Sequence, residues 1–379
     1  LGLGATTRFA ATVTITGRDN GLKHENMNNL SSEKKELLYQ GTVIPAHPLA
    51  LTADYELNEI NQRRLTRYYI ESGVGGIAVG VHTTQFEIRK PEINLLEAVF
   101  SITAQEVEKA GLTRPFLKIA GICGQTDQAI SEAKLAQKYG YDMGLVSMAA
   151  LGDRSEEEVI EHIRTVAQII PVFGFYLQSA IGGRVYSYNF WEAFVNIPNV
   201  LAIKIAAFNR YQTLDVVRAL CNSPRKDEVA LYTGNDDNIV VDLITPYRFE
   251  INNEVVEKRF VGGLLGHWAV WTNKAVRLLA EIKEVTHTHT HAFEALLTKN
   301  VEVTDMNAAI FDPSHAFHGC ISGVHQVLFK QGLLDGIWCL NPAEKLSEGQ
   351  EQEIERVSKA YPHLIDDDFV TVFIKQDQA

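Results

Sequence analysis

Eight short apolar runs recur between residues 42 and 268, and this rhythm constrains the fold more than any other feature. They are TVIPAH (42–47), GGIAVGV (75–81), FLKIAGIC (116–123), MGLVSMA (143–149), VFGFYLQ (172–178), VLAIKIAA (200–207), VALYTG (229–234) and FVGGLLGHW (260–268). Near-continuous apolar character, rather than alternation, is what a strand buried on both faces shows. Helical spacing fills most of the gaps. Within 155–170, Val159, Ile160, Ile163, Val166, Ala167 and Ile170 share one face, and Ser155 with Glu158 forms a capping box. Residues 126–139 form another helix, opened by Thr126 and stopped by Gly140. Strand–helix alternation at this spacing implies a parallel sheet with helical crossovers. Eight units predict an α/β fold of the (β/α)8 TIM-barrel type over residues 39–284. A doubly wound sheet is the alternative, and the lack of a glycine-rich loop after the first strand counts against its dinucleotide-binding form.

The flanks differ from the barrel. Residues 1–38 show no period and read as an N-terminal extension. Residues 285–379 are helix-like, punctuated at LNPAEKLSEGQ (340–350), and predict a C-terminal helical appendage. The segment 238–259 is long for the gap between the seventh and eighth strands, and an extra helix or a lid is expected there. The formal net charge is −12 and no Lys/Arg cluster marks a nucleic-acid or membrane surface. Four scattered cysteines (Cys123, Cys221, Cys320, Cys339) suit neither a zinc pattern nor a disulfide framework, and a cytoplasmic setting is expected. No run is long enough to span a bilayer. In THTHTH, His287, His289 and His291 lack an acidic or cysteine partner at fixed spacing and read as a polar turn, so no metal is expected.

Barrels of this kind carry their sites at the C-terminal ends of the strands. Those ends present Thr83 and Thr84, Tyr176, Lys204, then Gly234, Asn235 and Asp236, and finally His267. Lys204 stands out because lysine is almost never fully buried unless it is paired or has lost its proton. A dry barrel interior disfavours the ammonium, and the neutral amine can attack a ketone to form a Schiff base. A nearby phenol such as Tyr176 can relay the protons that carbinolamine formation and loss require. Lys118 also lies in an apolar strand, but near its start and away from the active face.

The constellation resembles the dihydrodipicolinate synthase / N-acetylneuraminate lyase family of class I aldolases. GTVIPAHPLALTADYELNEINQRRLTRYYIESGVGGIAVG (41–80) is similar to that family's first βα unit. VHTTQ (81–85) falls at its G-T-T/S-G-E loop, and GICGQT (121–126) at its G-x-G-x-x-T segment. FYLQSAIGG (175–183) stands at its Y-N-x-P-x-x-x-G motif, and PNVLAIKIAA (198–207) at its P-N-x-x-G-x-K segment. Tyr176 and Lys204 are 28 residues apart, the family's spacing. The resemblance implies a Schiff base with a 2-oxo acid on Lys204, Tyr176 as proton relay, and Thr83 and Thr84 holding the carboxylate. Gly234, Asn235 and His267 complete the expected substrate contacts, without a cofactor, in a homo-oligomer (dimer or tetramer). Departures fall on second-substrate recognition. Gln85 and Phe86 replace glycine and glutamate, Leu177 replaces asparagine, and VSMAAL (146–151) offers no second tyrosine. Ile181 stands where dihydrodipicolinate synthases have an arginine, and Arg184 or Arg210 would have to take its place.

The expected function is therefore a Schiff-base-forming lyase of aldolase type, taking a 2-oxo acid such as pyruvate and an aldehyde. A dehydratase of 2-oxo-3-deoxy sugar acids would use the same imine. A non-catalytic barrel that binds 2-oxo acids is the third reading.

Overall fold

The computed structural model describes residues 30–288 and 292–378. The strands are β1 (Val43–Pro45), β2 (Gly76–Val79), β3 (Leu117–Ile122), β4 (Met143–Val146), β5 (Val172–Leu177), β6 (Val200–Ala206) and β7 (Ala230–Thr233). They continue with β8 (Tyr247–Ile251), β9 (Glu254–Lys258) and β10 (Phe260–Leu265). The helices of the barrel are α1 (Ser32–Gln40), α2 (Glu59–Glu71), α3 (Leu96–Lys109), α4 (Thr126–Lys138), α5 (Glu156–Ala167), α6 (Tyr188–Val195), α7 (Arg210–Asn222), α8 (Ile239–Ile244) and α9 (Thr272–Thr288). Beyond it lie α10 (Phe293–Phe311), α11 (Cys320–Lys330), α12 (Gln350–Ala360) and α13 (Asp367–Asp377).

Eight parallel strands form one sheet in the order β1-β10-β7-β6-β5-β4-β3-β2. The ends meet through a parallel bridge between Ala46 and Ala78, reinforced by the His47 N–H donating to the Ala78 carbonyl at 2.8 Å. This is a TIM barrel with a C-terminal helical region, as the rhythm predicts. The expected capping box also forms: the Glu158 N–H donates to Ser155 Oγ, and the Ser155 N–H to Glu158 Oε2.

Two apolar bodies divide the core. Inside the barrel sit Ile44, Ala78, Ile119, Leu145, Phe173, Phe175, Ala202, Ala206, Tyr232 and Leu264. The other body lies between the sheet and the surrounding helices, where Val79, Ile122, Tyr176, Ile203 and Ile205 meet Val159, Trp191 and Val217. Helix α1 closes the lower end of the barrel. Its Leu38 joins the interior body, and the buried Tyr232 hydroxyl donates to the Leu38 carbonyl at 2.9 Å. Thus the part of the expected extension that is described carries a helix, while residues 1–29 lie outside the described residues.

The long segment after β7 forms no lid. It holds the short α8 and an antiparallel hairpin, β8–β9, turning at Asn252 and Asn253 with φ of 52° and 64°. Two consecutive left-handed residues are what a two-residue hairpin turn requires, and asparagine tolerates that region. The hairpin packs against α7, and Lys258 pairs with Asp227 just ahead of β7, so it is fastened at the end of the barrel opposite the strand C-termini.

Removing the phenol in Tyr232→Phe leaves a buried carbonyl without its donor, a loss of about 1–3 kcal/mol. A urea titration should show a lower midpoint with an unchanged slope; an unchanged midpoint would mean α1 is held without this bond.

Candidate active site

Strand β6 explains why a lysine stands in an apolar run. Alternation sends Ala202, Lys204 and Ala206 into the barrel, and Ile203 and Ile205 toward the helices. The small alanines leave room for the long side chain. Gly234, just beyond β7, leaves more, since a Cβ there would lie 2.4 Å from Lys204 Cε. Lys204 is only 8% exposed, and its Nζ lies 4.5 Å from the centre of the Phe175 ring. Among the described residues no carboxylate oxygen lies within 4.0 Å of that nitrogen. Burial pushes the ammonium well below its usual 10.5, with Asp236 opposing the shift. The same burial pushes the Asp236 carboxyl up from 3.8, with Lys204 opposing it in turn.

These groups line a cavity at the strand C-termini of about 60 Å³, several times the roughly 10–15 Å³ one water needs. His82, Thr83, Gln178, Lys204 and Asp236 are its polar members. Phe175, Leu177, Ile181, Phe208, Phe311 and Phe317 supply most of the apolar wall. Phe317 arrives on a segment where Asp312, Ala316 and Phe317 all have left-handed backbones (φ 54°, 54° and 66°). Asp312 holds that segment by accepting from His315 Nδ1 at 2.6 Å and from Ser347 Oγ at 2.5 Å. Phe317 then meets Phe208 across the mouth, 6.0 Å between ring centres.

The residues expected at the site divide. Lys204, Thr83 and Gly234 come together at the cavity. The Thr83 hydroxyl is buried without a partner, which leaves it free for a ligand. Thr84 is occupied instead: its Oγ1 accepts from the Gly80 and Val81 N–H groups and donates to the His47 carbonyl at 2.6 Å. Asn235 is a brace, accepting from the Phe208 N–H and donating to the fully buried Asp242. His267 contributes its backbone N–H to Asp236 Oδ1 at 2.9 Å, while its ring packs beside Trp271.

Tyr176 lies away from the cavity, among aromatic side chains. A bulge between Val172 and Phe173 shifts the β5–β6 register by one, so Phe175 stands opposite Lys204 and Tyr176 opposite Ile205. A one-residue shift reverses which side chains face inward. On β6 the extra residue turns Lys204 inward, while unbroken alternation on β5 sends Phe175 inward and the Tyr176 ring to the helix side, 4.7 Å from Trp191 and 6.2 Å from Tyr186. Lys118 faces outward as well, donating to the Tyr139 carbonyl at 3.2 Å.

Asp236, placed at the strand ends by the sequence but given no role there, lines the cavity, and His82 and the phenylalanines of the C-terminal region join it without having been expected. Burial and the nearby Lys204 charge hold His82 down to about 4, so its ring is neutral near pH 7. Asp242 was unread too. It accepts from Thr233, Asn235 and Arg210 and so fixes the loops after β6 and β7. His289 and His291 lie outside the described residues, and among the described residues no cluster of three metal-ligating side chains occurs. Nor is any described helix long and apolar enough to cross a membrane.

The family model described as Dihydrodipicolinate synthetase family matches residues 40–245, more than half of the chain. The protein belongs to that family. It is similar to a 4-hydroxy-tetrahydrodipicolinate synthase from Desulforamulus reducens, 26% identical over 206 residues. That match covers 54% of this chain and 64% of the relative's length. Two solved structures share the fold at low identity. N-acetylneuraminate lyase from Fusobacterium nucleatum aligns with a TM-score of 0.65 at 16% identity, over 85% of this chain and 99% of that one. Dihydrodipicolinate synthase from Oceanobacillus iheyensis aligns with 0.67 at 17%, over 86% and 97%.

Because Tyr176 packs among aromatic rings outside the barrel, Tyr176→Phe should lose none of the roughly 10²–10⁴-fold that a general acid–base group supplies. Steady-state turnover of the variant is the measurement, and a fall of that size would return the phenol to the reaction.

Proposed function

We propose that the protein is a Schiff-base-forming lyase of aldolase type that takes a 2-oxo acid of the pyruvate class on Lys204. The observation that carries this is a lysine amine buried in a barrel at the wall of a cavity, with no carboxylate oxygen within 4.0 Å among the described residues. Desolvation keeps part of the amine neutral near pH 7, which is the form that attacks a carbonyl. Membership of the dihydrodipicolinate synthetase family supports the same chemistry. The unpartnered Thr83 hydroxyl is the group best set to donate to the 2-oxo acid's carboxylate.

The aldehyde partner differs from that of a dihydrodipicolinate synthase. Aspartate semialdehyde carries its own carboxylate, and a buried carboxylate calls for a cation, best a bidentate arginine. Ile181 lines the cavity at the relevant loop. Arg184 spends its guanidinium on the Gly152 and Arg154 carbonyls, and Arg210 on Asp242 and Asp237. With Phe208, Phe311 and Phe317 over the mouth, the site suits an acceptor without a carboxylate. Tyr232 stands beside Lys204 on β7 but gives its hydroxyl to the Leu38 carbonyl, and no phenol lines the cavity among the described residues, which favours a second reading, a barrel that binds 2-oxo acids without turning them over. A homo-oligomeric state, dimer or tetramer, is carried as part of the proposal and is checked by light scattering.

Pyruvate with borohydride should add one reduced ligand mass to the wild type and to Lys118→Ala, and none to Lys204→Ala. With aspartate semialdehyde supplied as well, the imine should form without condensation. An adduct mapping to Lys118, or cyclic product at an ordinary enzymatic rate of about 1–10³ s⁻¹, would contradict the assignment. An imine with every 2-oxo acid and turnover of none would favour the binding barrel.

A further inference from the structure

We propose that Asp236 is the acid–base residue of this site, moving the protons that an imine on Lys204 requires. The proposal rests on the Schiff-base reading of Lys204 and gives that site the catalytic group it otherwise lacks. Phe175 stands opposite the lysine on β5 and cannot exchange a proton. Of the polar groups on the cavity, Thr83 and Gln178 do not exchange protons near neutral pH, and His82 is too weak a base. Asp236 is only 5% exposed and is aimed by its own loop. The His267 N–H fixes one carboxyl oxygen at 2.9 Å, and the other makes no protein hydrogen bond among the described residues. The bracing of Asn235 by Asp242 and the Phe208 N–H holds the residue just before it. Gly234 brings this stretch of chain against the lysine's own methylenes.

The proton count closes with Asp236 alone. Starting from a neutral Lys204 amine and a protonated Asp236, the Nζ lone pair bonds to C2 of the 2-oxo acid. The carbonyl oxygen takes the Asp236 proton, and the carboxylate then takes one proton from nitrogen, giving a neutral carbinolamine. The nitrogen lone pair expels the hydroxyl, which takes that proton and leaves as water. An iminium and a carboxylate remain, close in the same cavity. In the cleavage direction the Asp236 carboxylate takes the C4 hydroxyl proton, the C3–C4 bond breaks, its electron pair enters the iminium as an enamine, and the aldehyde departs.

The ionisable groups that bear on Asp236 are Lys204 on β6, the adjacent Asp237, Cys320 at the start of α11, and His82 across the cavity. Burial pushes the Cys320 thiol up, so it stays neutral, and Asp237 faces Arg210. The pair that titrates near neutrality is therefore Lys204 with Asp236, sharing one proton in the reactive state. Imine formation should fall at low pH, where both are protonated, and at high pH, where the pair loses that last proton.

The test is the rate of pyruvate imine formation, quenched with borohydride and read by intact mass, in the wild type and Asp236→Asn across about pH 5–10. Asparagine keeps the oxygen that accepts from the His267 N–H and removes only the exchangeable proton. The expected result is a rate about 10²-fold lower or more, with the high-pH fall abolished and a rise to a plateau in its place. Formation at the wild-type rate, or a slower rate that keeps the high-pH fall, would overturn the role of Asp236 while leaving Lys204 as the nucleophile. No adduct in the wild type at any pH would overturn the Schiff-base reading and this role with it. If Asp236→Asn does not fold, the wild-type profile decides: a fall at high pH supports the pair, and a rise to a plateau overturns it.

Discussion

Desolvation of one amine organises this site. A lysine inside a closed barrel can stay charged only with a well-placed partner, and can otherwise lose its proton. Asp236 supplies an opposite charge without closing to an ion pair within 4.0 Å of Nζ. Loss of water shifts both buried groups toward neutrality, the amine down and the carboxyl up, while each opposes the shift of the other. Much of the surrounding architecture can be derived from keeping that arrangement dry and open. Ala202, Ala206 and Gly234 make room for the lysine, and Asp242 with Asn235 fixes the loop that carries the acid. Phe311 and Phe317 come from the C-terminal helical region to exclude water at the mouth.

The C-terminal region is thus part of the site as well as of the fold. Three left-handed residues without a glycine among them bend 312–317 toward the cavity, and each such conformation costs free energy. The Asp312 bonds to His315 and Ser347 offset part of that cost. A second tie runs from Leu340, whose N–H donates to Gln85 Oε1 on the loop that carries Thr83. Gln85 and the arginine-free wall are where this chain departs from the family pattern. On the proposed Schiff-base reading, the departures concern what would meet a 2-oxo acid on Lys204 rather than what would bind it.

The barrel was legible because each buried strand writes a continuous apolar run and each helix a 3.6-residue period. Lys204 was legible because a lysine interrupts such a run. The placement of Tyr176 was not, because spacing along the chain does not report which way a strand's side chains face. One extra residue on β6, Leu201 between Val200 and Ala202, turns Lys204 inward beside Phe175, while Tyr176 follows the unbroken alternation of β5 to the helix side. His267 follows the last strand into a 3-10 turn, so its ring leaves the barrel axis although its position in sequence is right. Asn235 reads in sequence as a substrate contact and Asp242 as an ordinary polar residue; the fold ties them together as a brace where β7 meets the start of α7. The hairpin did leave a signal: YRFEINNEVVEK alternates around a paired asparagine, a strand–turn–strand pattern rather than a helix or a lid.

The central claim is that burial makes Lys204 a partly neutral, reactive amine near pH 7. Competitive acetylation with trace reagent across pH, followed by peptide mass spectrometry, reads the titration of each lysine in the folded protein. Lys204 should titrate well below the 10.5 of an ordinary lysine. Titration of Lys204 together with the exposed lysines would contradict the account.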